Sequence, residues 1–512
     1  MDKKNIKTLQ ELVEASAKEY GDKVFVSEKK GKEVIGKTFN EFCNDVKKLT
    51  SYVRKIQGDK EHINSAVVGG SCYAWLVCYF GIVSGGNTAV PLDAQLSCDD
   101  IADLLNRSDS EIFFYDSRFE NIIPELRAKC PCVREYVSFG DDLQKVLDEN
   151  SADDFRPVDP SAIATISYTS GTTGRSKGVM LRNSNLIDNA MCQDNESEPD
   201  NIVMSVLPIH HIYCFTCDIL LAMRYGNNLC FNDSMMRIPQ NLKLFKPHVM
   251  LVVPMIAETL YRQIQNIKNA HPERTEKEIA EEYFGGNLRT IFSGGAYLRP
   301  ELQRAYIDMG IQMAQGYGMT ECSPRISTGD RFDTECKGDV GVIVNGCQVK
   351  TIDGEIVVKS PSVMAGYYKD EEETAKTLTP DGWLHTGDLG YVDGNHLFLT
   401  GRKKNLIILS NGENVSPEEL ENKFAGTDFI TELLVYSDDG VICAEIFPNK
   451  DMYPDTTDIG LEKKFREKTD EINKTVSTAK AIRRIRIRDV EFDKTPSKKI
   501  KCQQTEQGRI VK

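Results

Sequence analysis

Short apolar runs alternate with helical stretches along most of the chain. SAVVGG precedes YAWLVCYFGIVSGG, IATISYTSG precedes a helical pattern opening near Asn183, and HVMLVV runs into PMIAETLYRQIQNIKNA. NIVMSVLP reads as a further strand, and LRTIFSGG is followed by the helical PELQRAYIDMG. Strand, turn and helix in repetition predict α/β layers around a mostly parallel sheet. Ligands in such sheets sit beyond the carboxyl ends of the strands. The run YTSGTTGRSKG, straight after IATIS, falls at such an end.

Near Gly338 the texture changes. Segments shorten, and QVKTIDGEIVVKS and GYVDGNHLFLTG predict hairpins turning at Asp353-Gly354 and Asp393-Gly394. After Arg402 comes a compact α+β stretch. Ser416-Pro417-Glu418-Glu419 opens its helix with a capping box and proline at the first helical position. A hairpin at Asp439-Gly440, a charged helix and the strand IRRIRIRDVEF follow. The expected architecture is a large multi-layer N-terminal domain, residues 1–401, of parallel-sheet α/β layers plus a β-rich subdomain. A small mobile α+β C-terminal domain, residues 402–512, completes it.

Length agrees, since 512 residues exceed one compact core and fit about three units of folding. Net charge is −14, which argues against a nucleic-acid binder working through its overall field. From Lys480 onward the sign reverses, with eleven Lys or Arg against four Asp or Glu. That tail suits a polyanionic small molecule or an acidic protein, and equally a solvated surface. The fifteen cysteines are scattered without zinc-ligand spacing. The start reads as an amphipathic helix rather than a signal peptide, and no apolar run approaches the ~18 residues of a membrane span. These features predict a reduced, cytoplasmic protein with no transmembrane segment, peripheral membrane attachment being left open.

The loop carries the first chemistry. Its spacing departs from G-x-x-x-x-G-K-[ST], because Gly171 and Gly174 are three apart and Gly178 follows Lys177. Thr169, Ser170, Thr172 and Thr173 still offer hydroxyls, Gly171 and Gly174 free the backbone to turn its N–H groups inward, and Lys177 adds charge. This is a donor surface suited to phosphate oxygens. Four further stretches join it: QGYGMTE (Gln315 to Glu321), GWLHTGD (ending at Asp388), TGRKKNLIILSNGENVSPEELE (with Arg402) and KTPSKKIK (Lys494 to Lys501).

In this order and at these distances the set resembles the adenylate-forming superfamily, whose members include acyl-CoA synthetases, adenylation domains of peptide synthetases and beetle luciferases. The pattern is most similar to medium- and long-chain acyl-CoA synthetases. The resemblance implies ATP, Mg²⁺ and coenzyme A as cofactor and cosubstrates, and a carboxylic acid as substrate. It assigns Thr172, Thr173 and Lys177 to the β- and γ-phosphates, Tyr317 to adenine beside Gly295 and Ala296, and Thr320 to the α-phosphate. Glu321, with Thr172, would hold Mg²⁺; Asp388 and Arg402 would grip the ribose. Lys499 would bridge carboxylate and α-phosphate, His211 would line the acyl and pantetheine sites, and Lys404 would be the pivot that brings in the Gly412 loop.

Such a reaction brings two anions together, so cations and fixed donors are required and a side-chain nucleophile is not. Outside the motifs, Tyr317 would read as a packed tyrosine, Glu321 as a surface acid and Asp388 with Arg402 as a hinge salt bridge. His210 and His385 read as structural and Trp75 as core. Several positions depart from the family pattern: Ser176 for proline, Lys498 for glycine, Asn405 for an acid and Cys502 for arginine. The mostly apolar IHHIYCFTCDILLAM, with Asp218 seven residues past His211, favours a hydrocarbon or aryl acid over an amino acid. Coenzyme A and the phosphopantetheine arm of a carrier protein both fit as acceptor. A member that binds nucleotide without turnover is the remaining alternative.

Overall fold

The computed structural model describes residues 5–31, 33–169, 176–193, 197–408, 414–438, 440–493, 500 and 509–511. By compactness the chain divides into two units, residues 1–349 with 358–384, and residues 350–357 with 385–512.

The large unit is built on two mainly parallel sheets, as the alternation predicts. In one, Thr88–Leu92, Asn64–Val68, Ser110–Tyr115 and Glu135–Ser138 run parallel, and Ile163–Thr169 joins them beside Thr88–Leu92. Lys177–Arg182 then turns back antiparallel on Ile163–Thr169, and the short strand Gly366–Tyr367 pairs antiparallel with Lys177–Arg182. The other sheet sets Val24–Lys30, Asn228–Phe231, Ile202–Ser205, Val249–Val252, Thr290–Ser293 and Gln312–Gly318 side by side in parallel. Antiparallel strands flank it at Glu33–Thr38 and Arg325–Thr328.

Strands covered on both faces need continuous apolar runs, and Asn64–Val68 and Thr88–Leu92 are buried at every position. The helix Tyr73–Val83 is buried from Trp75 to Val83, which fits a sequence without a polar face. Trp75 stacks on Tyr79 with ring centroids 5.2 Å apart, and Phe215 lies 4.4 Å from Tyr79. Trp75 is core. Among the described residues no helix is long and apolar enough to cross a membrane.

In the small unit, Asp353 and Gly354 both take positive φ (50° and 79°), the type I′ requirement behind the expected Asp-Gly turn. The next hairpin closes one residue later than expected. Asp393 pairs with His396, so Gly394 is the first of two central residues, with φ 60°. Glycine in that place suits a type II′ turn better than Asp-Gly suits the centre. Ser416 caps Pro417–Phe424, accepting from the Glu419 N–H at 3.4 Å. Glu419, expected to reach back to the cap, pairs instead with Lys480 at 2.7 Å. The third turn lies between paired Asp438 and Val441; Asp439 is outside the described residues.

The strand Arg484–Ile487 runs parallel to Val441–Pro448, linked by the helix Ile459–Asn473 as a crossover. Its alternation sends Ile485 and Ile487 into the core, while Arg484 and Arg486 reach Asp438 at 2.5 and 2.7 Å. Arg488, 2% exposed, meets the fully buried Glu445 at 3.3 Å, and the Tyr436 hydroxyl donates to Glu445 at 2.6 Å. Lys480, Arg484, Arg486 and Arg488 of the basic tail are thus answered by acids of their own unit.

A buried charge left alone is costly, whereas an apolar pair of equal volume is not. Arg488→Met should therefore lower unfolding free energy by about 3–5 kcal/mol, and Arg488→Met with Glu445→Leu should recover most of it. Denaturant midpoints of the three proteins check this.

Candidate active site

The candidate residues fall in both units. In the large unit they gather at strand carboxyl ends. His211 follows Ile202–Ser205, Gly295 and Ala296 follow Thr290–Ser293, Tyr317 closes Gln312–Gly318, and Thr320 and Glu321 lie on the turn directly after it. These three strands share one parallel sheet, with Val249–Val252 between the first two. Thr169 ends Ile163–Thr169 in the other sheet and pairs with Lys177. His210 Nε2 lies 3.9 Å from Asp93 Oδ2, so the edge after Thr88–Leu92 meets the edge after Ile202–Ser205. Ser170, Gly171, Thr172, Thr173 and Gly174 lie outside the described residues, as do Gly412 and Lys499.

Arg107 fixes the loop's exit at Ser176. Its Nη2 donates to the Ser176 carbonyl at 2.6 Å and its Nη1 to Ser176 Oγ at 3.3 Å, while the guanidinium covers the Tyr168 ring at 5.3 Å. Where a proline would fix one dihedral, a guanidinium here grips a serine by its carbonyl and its hydroxyl.

Lys177 and Glu321 are tied through one residue. The Lys177 ammonium sits 5.1 Å from the centroid of the Tyr367 ring, and the Tyr367 hydroxyl donates to Glu321 Oε1 at 2.9 Å. Glu373 forms an ion pair with Lys177. Burial, and then the Glu321 and Glu373 carboxylates, push the Tyr367 phenol far up, so it stays a donor. Glu321 is 9% exposed and is not a surface acid. Its turn is tight because Met319 donates to the Pro324 carbonyl at 2.9 Å. A Cβ on Gly318 would run into that same carbonyl, which accounts for the glycine in QGYGMTE. Tyr317 is half-buried rather than core.

The two adjacent histidines differ. His210 is largely buried, and burial followed by its neighbour His211 holds its imidazole well below the usual range and neutral. His211 is exposed at the start of the turn Ile212–Cys214. Beyond it lies a turn of π-helix, Phe215–Leu220, carrying Asp218 at 1% exposure. Ser205 Oγ donates to Asp218 Oδ2 at 2.8 Å and Oδ1 has no hydrogen-bond partner among the described residues. Burial raises this carboxyl to about 7, against the pull of Ser205 and Cys214.

In the small unit, Asp388 and Arg402 are cross-strand partners, and Arg402 Nε donates to Asp388 Oδ1 at 2.8 Å. Asp388 is buried and Arg402 exposed. Lys404 is exposed on the turn Lys403–Asn405. Asn405 donates to Glu418, so the amide in place of an acid still finds a partner. Glu355 binds the Lys403 ammonium at 2.9 Å, His385 Nδ1 at 3.2 Å and the Gly387 N–H at 3.0 Å. Burial opposes its charge, yet these three together hold it below the usual carboxylate range. His385 thus helps to hold the Glu355 carboxylate.

The family described as AMP-binding enzyme matches residues 13–368. The chain belongs to that family. Among curated members it is 30% identical to long chain acyl-CoA synthetase 7, peroxisomal, of Arabidopsis thaliana, over 71% of this chain and 61% of that protein. It is 28% identical to long-chain-fatty-acid–CoA ligase FadD15 of Mycobacterium bovis, over 87% of this chain and 85% of that one. The chain thus spans about three fifths of the length of the Arabidopsis relative. Of the solved structures, the anthranilate CoA ligase AuaEII with anthranoyl-AMP matches at a TM-score of 0.83 and 18% identity, over 98% of this chain and 97% of that one. ATP-bound MatB from Rhodopseudomonas palustris matches at 0.80 and 21%, over 98% and 97%. At these identities the likeness establishes a common fold.

Tyr367, Glu373, Arg107 and Glu355 were not legible as site residues in the sequence. The available signal was weak: GYYKDEEET resembles a solvated helix start, and Arg107 is one cation among many. Asp218 supplies a test of the site's electrostatics. Its folded value lies above the unfolded one near 3.9, so the folded state holds the extra proton and stability falls as pH rises toward 7. Asp218→Asn should abolish that decline, gaining roughly 2–3 kcal/mol on the parent between about pH 5 and pH 8. Parallel stability profiles of the two proteins would contradict it.

Proposed function

We propose that this AMP-binding enzyme is an ATP-dependent acid–thiol ligase. It activates a carboxylic acid, a fatty acid by preference, as an acyl adenylate and transfers the acyl group to coenzyme A. One observation carries the reading: the loop lysine and the acid of QGYGMTE, far apart in sequence, converge on Tyr367 at strand ends of a chain in this family. The relatives named as a long chain acyl-CoA synthetase and a long-chain-fatty-acid–CoA ligase, and the apolar stretch after His211, support the choice of acid.

In the first half-reaction a carboxylate oxygen attacks the α-phosphorus and pyrophosphate leaves. In the second a thiol attacks the acyl carbon and AMP leaves. Thr172, Thr173 and Lys177, with the backbone from Ser170 to Gly174, hold the β- and γ-phosphates. Tyr317 lies against adenine near Gly295 and Ala296, and Thr320 donates to the α-phosphate. Asp388, already oriented by Arg402, accepts from the ribose hydroxyls. Lys499 offsets the charge of the two approaching anions, and His211 borders the acyl and pantetheine paths. The functional boundary is 401/402, with Lys404 as pivot and Gly412 on the loop that lines the thiol path.

The Glu321 carboxylate, with one oxygen held by Tyr367, is a hard oxygen donor that fits Mg²⁺ together with the Thr172 hydroxyl. That ion, when bound, neutralises polyphosphate charge.

Incubation with ATP and a panel of saturated, aryl and amino acids, with and without coenzyme A, tests the proposal. AMP and acyl-CoA should form together and with saturated acids first. Acyl adenylate that accumulates regardless of coenzyme A would redirect the reading to a carrier-protein acceptor, and no turnover with any acid to a nucleotide binder. Lys499→Ala should cut adenylation by roughly a hundred- to a thousandfold, the loss typical of one pre-organised donor, while sparing thiolysis of supplied acyl adenylate. Equal loss of both half-reactions would remove Lys499 from its assigned role.

A further inference from the structure

Lys177 and Glu373 make an ion pair in which both side chains are mostly shielded, 17% and 27% exposed. Glu373 also has anchors apart from Lys177. Its N–H donates to Asp370 Oδ1 at 3.0 Å in the cap of Glu371–Thr377, and its other carboxylate oxygen lies 3.9 Å from Lys376. The ammonium in turn has the Tyr367 ring as a second attractive surface. An anion that approaches Lys177 therefore meets a cation already engaged.

We propose that Glu373 is an internal competitor for the phosphates of ATP, an exchangeable carboxylate that yields Lys177 to the polyphosphate and takes it back as pyrophosphate departs. This inference rests on the assignment of Lys177 to the β- and γ-phosphates. The exchange is a swap of ion pairs, with no bond made or broken. A fixed partner keeps the long lysine side chain ordered over Tyr367, so less freedom is lost when phosphate arrives. The same partner sets a threshold. A polyphosphate brings several charge-assisted bonds and displaces one carboxylate, whereas a singly charged anion offers no more than Glu373 does. Glu373 is thus a positioning residue that tunes affinity and helps product release, and Tyr367 keeps the lysine in line with Glu321 throughout.

The test is calorimetric titration of the full chain with MgATP and, separately, with magnesium pyrophosphate. Glu373→Gln keeps the backbone N–H that the Asp370 cap uses and removes only the charge. It should tighten both ligands by roughly two- to fivefold, the range that a partly exposed ion pair is worth. In a Lys177→Met background the same substitution should leave both affinities unchanged. Unchanged or weaker binding by Glu373→Gln, or equal tightening in the Lys177→Met background, would overturn the exchange, the latter by showing a general field effect. These titrations need no turnover, so a parent that binds MgATP yet forms no AMP with any acid refutes the ligase reading and leaves this test standing. A parent that does not bind MgATP refutes the exchange itself.

Discussion

The contact between the Tyr367 hydroxyl and Glu321 is the constraint on which the large unit's site depends. It connects a turn at the end of one sheet to a two-residue strand at the edge of the other. A hydrogen bond to a carboxylate contributes about 1.5–3 kcal/mol. The ring face beneath Lys177 contributes about 0.5–2 kcal/mol more. Both depend on strand register, because Tyr367 faces Val179 on Lys177–Arg182. A slip of one residue would turn the phenol to the opposite face and separate lysine from acid. Precision at this point comes from backbone pairing, and the side chains inherit it.

Much of the architecture was legible because the physics behind it is local. Parallel strands covered on both faces must be mostly apolar or small, and glycines suit the point where a chain turns to meet a ligand; both marks are visible in IATISYTSG and LRTIFSGG. The motifs were legible for the same reason, since each is a short run with its own backbone demands. Lys177–Arg182 is not legible as a strand because KGVMLR is short and directly follows a glycine-rich loop. The partnership of Lys177 with Glu373 was out of reach, because it depends on a sheet edge that forms between segments almost two hundred residues apart.

Asp388 and Arg402 lie between these cases. Either of their two readings fitted the sequence, and the choice of turn decides whether they meet. A turn centred on Asp393-Gly394 would have set Asp388 against another residue. Closure one residue later, with an irregularity at Leu389 and Gly390, brings Arg402 opposite. An ion pair and a ribose-binding role are compatible, since a carboxylate has acceptor sites beyond the one a single N–H occupies. The charge of the basic tail fitted a polyanion and a solvated surface alike; alternation along a half-buried strand gives Arg484, Arg486 and Arg488 acids within their own sheet.

Ser176 and Arg107 carry a consequence of another kind. A proline at the loop's exit would restrict mainly the unfolded chain and would be indifferent to the medium. The serine here is held only in the folded state, by a cation. Such a grip weakens with dissolved salt and with any small anion that Arg107 prefers. The hold on Ser176 is therefore a property of the solution as well as of the chain, and a cell's ionic composition acts on it directly.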